Sequence, residues 1–216
     1  MQRARVWVAA GVLGVVLCGC SSSTGSSGST GSSGGGSGGG SSAGAAADEP
    51  EVPLTTQDLE RVCTDGLGFA GLPAYDRTKK TVHPAQLMNS TGDGWNSSVP
   101  VDGDFPKGWF LGYEDKPAQT ELVVCLERTK ATATGKVCDM EADGKPLKIK
   151  TYNTSYRLRV VEARTGKEQY AHSGKAESDE CPAYIFTSSD DEDADKYYNE
   201  VRPEDYRKRI KPYIAP

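Results

Sequence analysis

The sequence predicts a mainly β domain, either an antiparallel β-sandwich or a sheet-based α+β fold, with a short helix at each end. Three observations carry the expectation. Short runs of alternating or continuous apolar residues are separated by Gly, Pro, Asn and Asp turn signals; helical spacing occurs only at 55–65 and after Pro203; and no internal repeat is visible.

Thr55 opens the first helix, with Asp58 three residues on as its capping-box partner and Leu59, Val62 and Cys63 on one narrow apolar face; Asp65-Gly66 stops it. The region 84–117 is rich in Gly, Pro, Asn and Asp. It holds two short strand candidates, 99–101 and 109–113, the second with Trp109, Leu111 and Tyr113 on one face. Residues 121–128 read as a mostly buried strand through Leu122, Val123, Val124, Cys125 and Leu126, the centre of the sheet, and 129–136 reads as a turn. In 148–162, Tyr156, Leu158 and Val160 alternate with Arg157 and Arg159, so one face of that strand is wet. Arg164-Thr165-Gly166-Lys167 turns the chain into a hairpin strand at 168–173, and 183–187 supplies another strand. Pro203 starts the last helix, whose Tyr206 and Ile210 share a face, and Tyr213 docks just beyond Pro212.

Ahead of this domain lies a targeting pattern. Arg3 and Arg5 form a positive n-region, and 6–17 is an apolar stretch shorter than the ~20 residues that span a bilayer. It ends in Leu17-Cys18-Gly19-Cys20, the pattern at which bacterial lipoprotein precursors are lipidated and cut. Cys20, preceded by small Gly19, is the expected acceptor; Cys18 would put bulky Leu17 where a small residue is required. The expectation is a signal peptide at 1–19, a lipid-carrying Cys20, and anchoring at the outer face of the cell membrane through more than one acyl chain. Residues 21–47 are Ser, Gly, Thr and Ala only, a flexible tether with a root-mean-square span of roughly 30 Å. A single β-rich domain follows at 48–216.

Loss of 1–19 removes Arg3 and Arg5 and no acid, so the formal charge moves from −5 to −7. That sign argues against nucleic acid as a partner and leaves the lipid, rather than a polybasic patch, to hold the membrane. Four cysteines remain after Cys20: Cys63, Cys125, Cys138 and Cys181. Outside the cytoplasmic membrane an even set implies disulfides, with three connectivities open. A hairpin centred near Ala131-Thr132 would set Cys125 opposite Cys138, leaving Cys63 for Cys181. No C-x-x-C spacing occurs and there are two histidines, so no metal and no cofactor is expected.

Several strings carry a resemblance. Val62-Cys63-Thr64-Asp65-Gly66, Gly71-Leu72-Pro73-Ala74-Tyr75-Asp76 and His83-Pro84 come first. They are followed by Glu121-Leu122-Val123-Val124-Cys125-Leu126-Glu127-Arg128, a later Cys138, residues 156–167, and Cys181-Pro182. Together they resemble a group of lipoproteins and secreted proteins of high-GC Gram-positive, actinobacterial-type bacteria to which no activity is attached. The resemblance covers most of 55–216 and implies an envelope location and a β-rich domain with disulfide cysteines. The acidic run 190–195 stands apart from it.

Catalytic patterns fail their context. Two G-x-S-x-G matches fall within the tether, and Gly66-Leu67-Gly68-Phe69-Ala70-Gly71 lacks the preceding strand and following helix of a dinucleotide site. His83, in a loop before Pro84, and His172, near the end of a hairpin strand, read as surface or satisfied histidines. The acidic run lacks the central glycine and distal glutamate of a calcium loop. Trp95, Trp109 and Tyr113 are the possible ligand surface, although aromatics in a small β domain are more often core. The sequence therefore points to a binding module for an envelope protein or wall glycan, with a wall-directed hydrolase or a passive structural protein as alternatives.

Overall fold

Leu122, Val123, Val124 and Cys125 are all buried because the strand they open is covered on both faces. The computed structural model describes residues 52–92, 94–142, 144–185 and 194–216. That strand, β3 (Leu122–Ala142), follows β1 (Ala85–Ser90) and β2 (Trp95–Ser98) and precedes β4 (Lys145–Glu162) and β5 (Glu168–Ala176). The strand order is β2-β1-β3-β4-β5, and β6 (Lys196–Tyr198) pairs with β4 beyond the end of β5. The fold is mainly β, as the sequence predicts. It is one mixed sheet rather than a sandwich, since β1 lies parallel to β3 and β6 parallel to β4 while the other pairs are antiparallel.

Side-chain alternation divides the core in two. On one face Ala85, Leu87, Leu122, Val124, Leu158 and Val160 meet Trp109 and the apolar stripe Tyr206, Ile210 and Ile214 of α2 (Pro203–Ile214). On the other, Met88, Val123, Cys125 and Val161 meet Leu59, Val62, Cys63, Phe69 and Leu72, which come from a 3-10 turn, α1 (Glu60–Thr64) and the loop after it. Each fully buried Leu, Ile or Val here contributes roughly 1.5–3 kcal/mol of transfer free energy. The wet face expected for β4 is only partly wet: Arg159 is half-buried beneath α1, donates to the Cys63 carbonyl, and burial lowers its pKa ahead of repulsion from Arg157. A third cluster, Cys138, Met140, Ile149 and Ile185, holds the far end of the β3–β4 hairpin.

The first helix forms where expected, and the Asp58 carboxylate accepts from the Thr55 and Leu54 backbone N–H groups at 2.8 Å each. The Gln57 side chain blunts the outer edge of β2 by accepting from Ser97 N–H (3.0 Å) and donating to the Trp95 carbonyl (2.6 Å). α2 continues through Pro212 to Ile214, beyond the expected stop.

Several expectations are corrected. First, β1 occupies a central position in a stretch whose composition reads as loop. Its Gln86 is buried because its amide donates to the Leu87 and Ser98 carbonyls. Of the two strands expected nearby, 99–101 lies beyond the end of β2, and 109–113 makes only a bridge from Phe110 to Ala85. Second, 129–136 is not a turn: β3 runs through it with register shifts between Arg128 and Lys130 and between Ala133 and Val137. The reversal lies between Ala142 and Lys145, paired partners flanking Gly144 at φ +76°. Third, the disulfides are Cys63–Cys125 and Cys138–Cys181, not Cys125–Cys138 and Cys63–Cys181. Cys125 and Cys138 lie on one strand at a rise of about 3.3 Å per residue, so they stand far apart along it. Of the strand expected at 183–187, the described residues 183–185 form none, and the rest lies outside the described residues.

Candidate functional site

The groups with chemical potential are largely committed to structure. All four described cysteines are bonded. His83 is 0% exposed: its Nδ1 lies 2.6 Å from Glu121 Oε2, its Nε2 3.3 Å from the Lys79 carbonyl, and the Tyr75 ring meets it edge-on at 4.8 Å. The Tyr75 hydroxyl donates to the Tyr213 carbonyl and His83 N–H to the Ile214 carbonyl. The assembly thus ties the 75–83 loop and the end of α2 to the start of β3. Burial raises the Tyr75 pKa, opposed by the charge of Arg77. His172, on β5, is half-buried near the edge of the Tyr156 ring, and its pKa is lowered by burial and then by Arg209.

The Gly66–Gly71 segment is a docking loop. Phe69 N–H donates to the Ala163 carbonyl, and a Cβ on Gly68 would lie 2.4 Å from the Arg164 backbone. The glycines give close approach to the β4–β5 turn rather than to a phosphate. In the acidic run, 190–193 lies outside the described residues, while Asp195 binds Lys150 at 2.6 Å; that hydrogen bond lowers its pKa and raises that of Lys150. Among the described residues, no group of three His, Cys, Asp or Glu is placed to hold a metal ion. No described helix is long and apolar enough to cross a membrane. Cys20 lies outside the described residues.

The three aromatics do not form one surface. Trp95 packs against the α1-face cluster, Trp109 is a core residue on the α2 face, and Tyr113 is 89% exposed on the loop after it. The structure offers instead the loop between β2 and Trp109. Phe105 meets Phe110 edge-on at 4.8 Å and Tyr206 at 5.4 Å, Asp104 N–H donates to the Val101 carbonyl, and Arg207 of α2 donates to the Asp104 carbonyl at 2.8 Å. This loop walls a shallow hollow of about 670 Å³ lined by Val99, Val101, Phe105 and Phe110 together with the charged Asp102 and Lys107. Val101, 74% exposed, also borders a second groove of about 380 Å³ that continues over Leu126 to Tyr198, where the Arg128 guanidinium stacks at 3.8 Å. The Gly/Pro richness of 99–108 is the signal for this surface; spacing alone does not show which of its apolar side chains face out.

Comparison with known proteins finds no matching family model, no matching curated protein and no matching solved structure. The class rests on the fold itself, a disulfide-bonded six-stranded mixed sheet covered by one helical layer on each face.

Proposed function

We propose that this chain is a lipid-anchored lipoprotein of the outer face of the cell membrane, whose disulfide-bonded β domain acts as a binding module for an envelope protein or wall glycan. The observation that carries the reading is the pairing of Cys63, Cys125, Cys138 and Cys181 in two disulfides, which agrees with an oxidising compartment and hence with the Leu17-Cys18-Gly19-Cys20 address. Binding rather than catalysis is favoured because His83 is enclosed while the loop around exposed Val101 walls an open hollow in which a partner can lodge.

Crosslinking on intact cells through the 99–110 loop tests both halves. The wild-type chain is expected in the membrane fraction with a reproducible envelope adduct; Cys20→Ala is expected in the medium or as an uncleaved precursor, without that adduct. A Cys20→Ala chain that is still processed and membrane-bound contradicts the anchor. A wild-type chain that gives no reproducible adduct contradicts the binding role.

A further inference from the structure

Between β5, residues 177–183 and the first turns of α2 lies a polar cleft of about 1030 Å³, lined by Tyr156, Tyr197, Asn199 and Arg209 among others. Tyr156 is 6% exposed, yet its hydroxyl makes no hydrogen bond with any described residue. The position opposite it on β5 is Gly174, and a Cβ there would lie 2.5 Å from the Tyr156 oxygen. Gly174 has an ordinary backbone conformation, so its role is space: it leaves the tyrosine tip room at the cleft wall. Two residues along β5, on the same face, the His172 ring lies 6.1 Å from the Tyr156 ring, with neither nitrogen hydrogen-bonded to a described residue. Arg209 carries a guanidinium without an ion-pair partner among the described residues, close enough for its charge to act on His172.

The Tyr156 hydroxyl and the Arg209 guanidinium therefore line one cleft with no hydrogen bond or ion pair to a described residue, and the His172 ring lies beside that of Tyr156. We propose that this part of the cleft is an oxyanion-binding site, in which the Tyr156 hydroxyl and the Arg209 guanidinium hold a phosphate or carboxylate group of a ligand lodged in the cleft, with the His172 ring beside Tyr156 as its neighbour and reporter. Arg209 and a hydroxyl at the cleft wall suit an anion because a charge-assisted hydrogen bond is roughly twice as strong as a neutral one. The carboxylates elsewhere on the wall are partly neutralised, Glu177 by Lys175 at 3.4 Å and Asp205 by Arg202 at 3.3 Å. Asp179, Glu180 and Glu200 leave the rest of the cleft acidic, which confines an anion to the Arg209 corner and offers acceptors to hydroxyl or amine groups on the same ligand. The inference rests on the binding-module reading for its biological sense and gives that module an anionic, hydroxyl- or amine-bearing ligand.

NMR titration of the His172 ring in the full chain tests the site without reference to the anchor or to any partner. Inorganic phosphate or acetate is expected to raise the His172 pKa saturably, because bound negative charge offsets Arg209, while sodium chloride at equal ionic strength does not. A response to phosphate alone assigns the site to phosphate groups, and to acetate alone to carboxylates. Tyr156→Phe is expected to weaken binding about tenfold. Arg209→Ala is expected to abolish the response while raising the starting pKa of His172. A His172 ring that answers neither anion beyond the chloride control, or variants that titrate like the wild type, overturns the proposal. Such a result leaves the anchor and the Val101 surface to their own crosslinking test.

Discussion

Replacing Cys63 and Cys125 together by alanine is expected to lower the stability of the domain by about 4 kcal/mol, the chain-entropy value for a loop of this size. The bond closes 62 residues of sequence separation and joins α1 to the central strand. Both sulfurs sit in the core on the α1 face with Leu59, Val62, Phe69 and Val123, so the variant also loses packing there. At roughly 2–4 °C per kcal/mol for a domain of this size, the melting temperature falls by roughly 10 °C. Non-reducing peptide mapping of the wild type is expected to give Cys63 joined to Cys125 and Cys138 joined to Cys181. Mild reductant is expected to open the second bond first, because Cys181 is exposed whereas Cys63 and Cys125 are buried. A Cys125–Cys138 peptide, or an unchanged melting temperature in the double variant, contradicts this arrangement.

The second large effect is expected at Gly166 in the β4–β5 turn. Its φ is +71°, and a Cβ there would lie 1.8 Å from the Gly66 carbonyl oxygen. Gly166→Ala thus combines left-handed backbone strain with displacement of the 66–69 loop, a loss of about 3 kcal/mol. The control is Gly135→Ala, where φ is +82° but nothing lies within 4 Å of the added atom; left-handed strain alone costs about 1–2 kcal/mol. Thermal melts of the two variants separate the terms. Equal losses would mean that the 66–69 loop does not rest on the turn.

Much of the sheet was readable because burial writes itself into side-chain periodicity. Alternation of Tyr156, Leu158 and Val160 with Arg157 and Arg159 marks β4, the Thr-Gly turn marks the hairpin into β5, and Tyr206 with Ile210 marks the buried stripe of α2. β1 escaped because Gln86, Asn89 and Ser90 make it look like loop. Its place in the sheet comes from parallel pairing with β3, far along the chain, while Ser98 of β2 accepts from the Gln86 and Asn89 side-chain amides. The disulfides were misread for a related reason. The Thr/Ala/Gly composition of 129–136 resembles a turn, whereas β3 carries it as an exposed, bulged strand and the reversal comes later, between Ala142 and Lys145. Placing the turn too early put Cys138 on the wrong strand, and the wrong pairing followed.

The candidate sites were less legible. Trp95, Trp109 and Tyr113 share a composition, not a surface, because the sheet separates the first two and only the third faces water. His83 was read as a surface or satisfied histidine; it is the second, and its carboxylate partner lies on another element, 38 residues away. The Tyr156, His172 and Arg209 corner could not be read from spacing, since β4, β5 and α2 contribute one residue each. Gly174, in a strand and opposite Tyr156, is its one local trace.

Intact-mass analysis of the natural protein under non-reducing conditions tests the central claim most directly. The expected species begins at Cys20, carries a diacylglycerol adduct, and is four hydrogens lighter than the fully reduced chain because both disulfides are formed. A species that starts elsewhere or carries no lipid, or one with four free thiols in the domain, would contradict a lipid-held, disulfide-bonded module outside the cell.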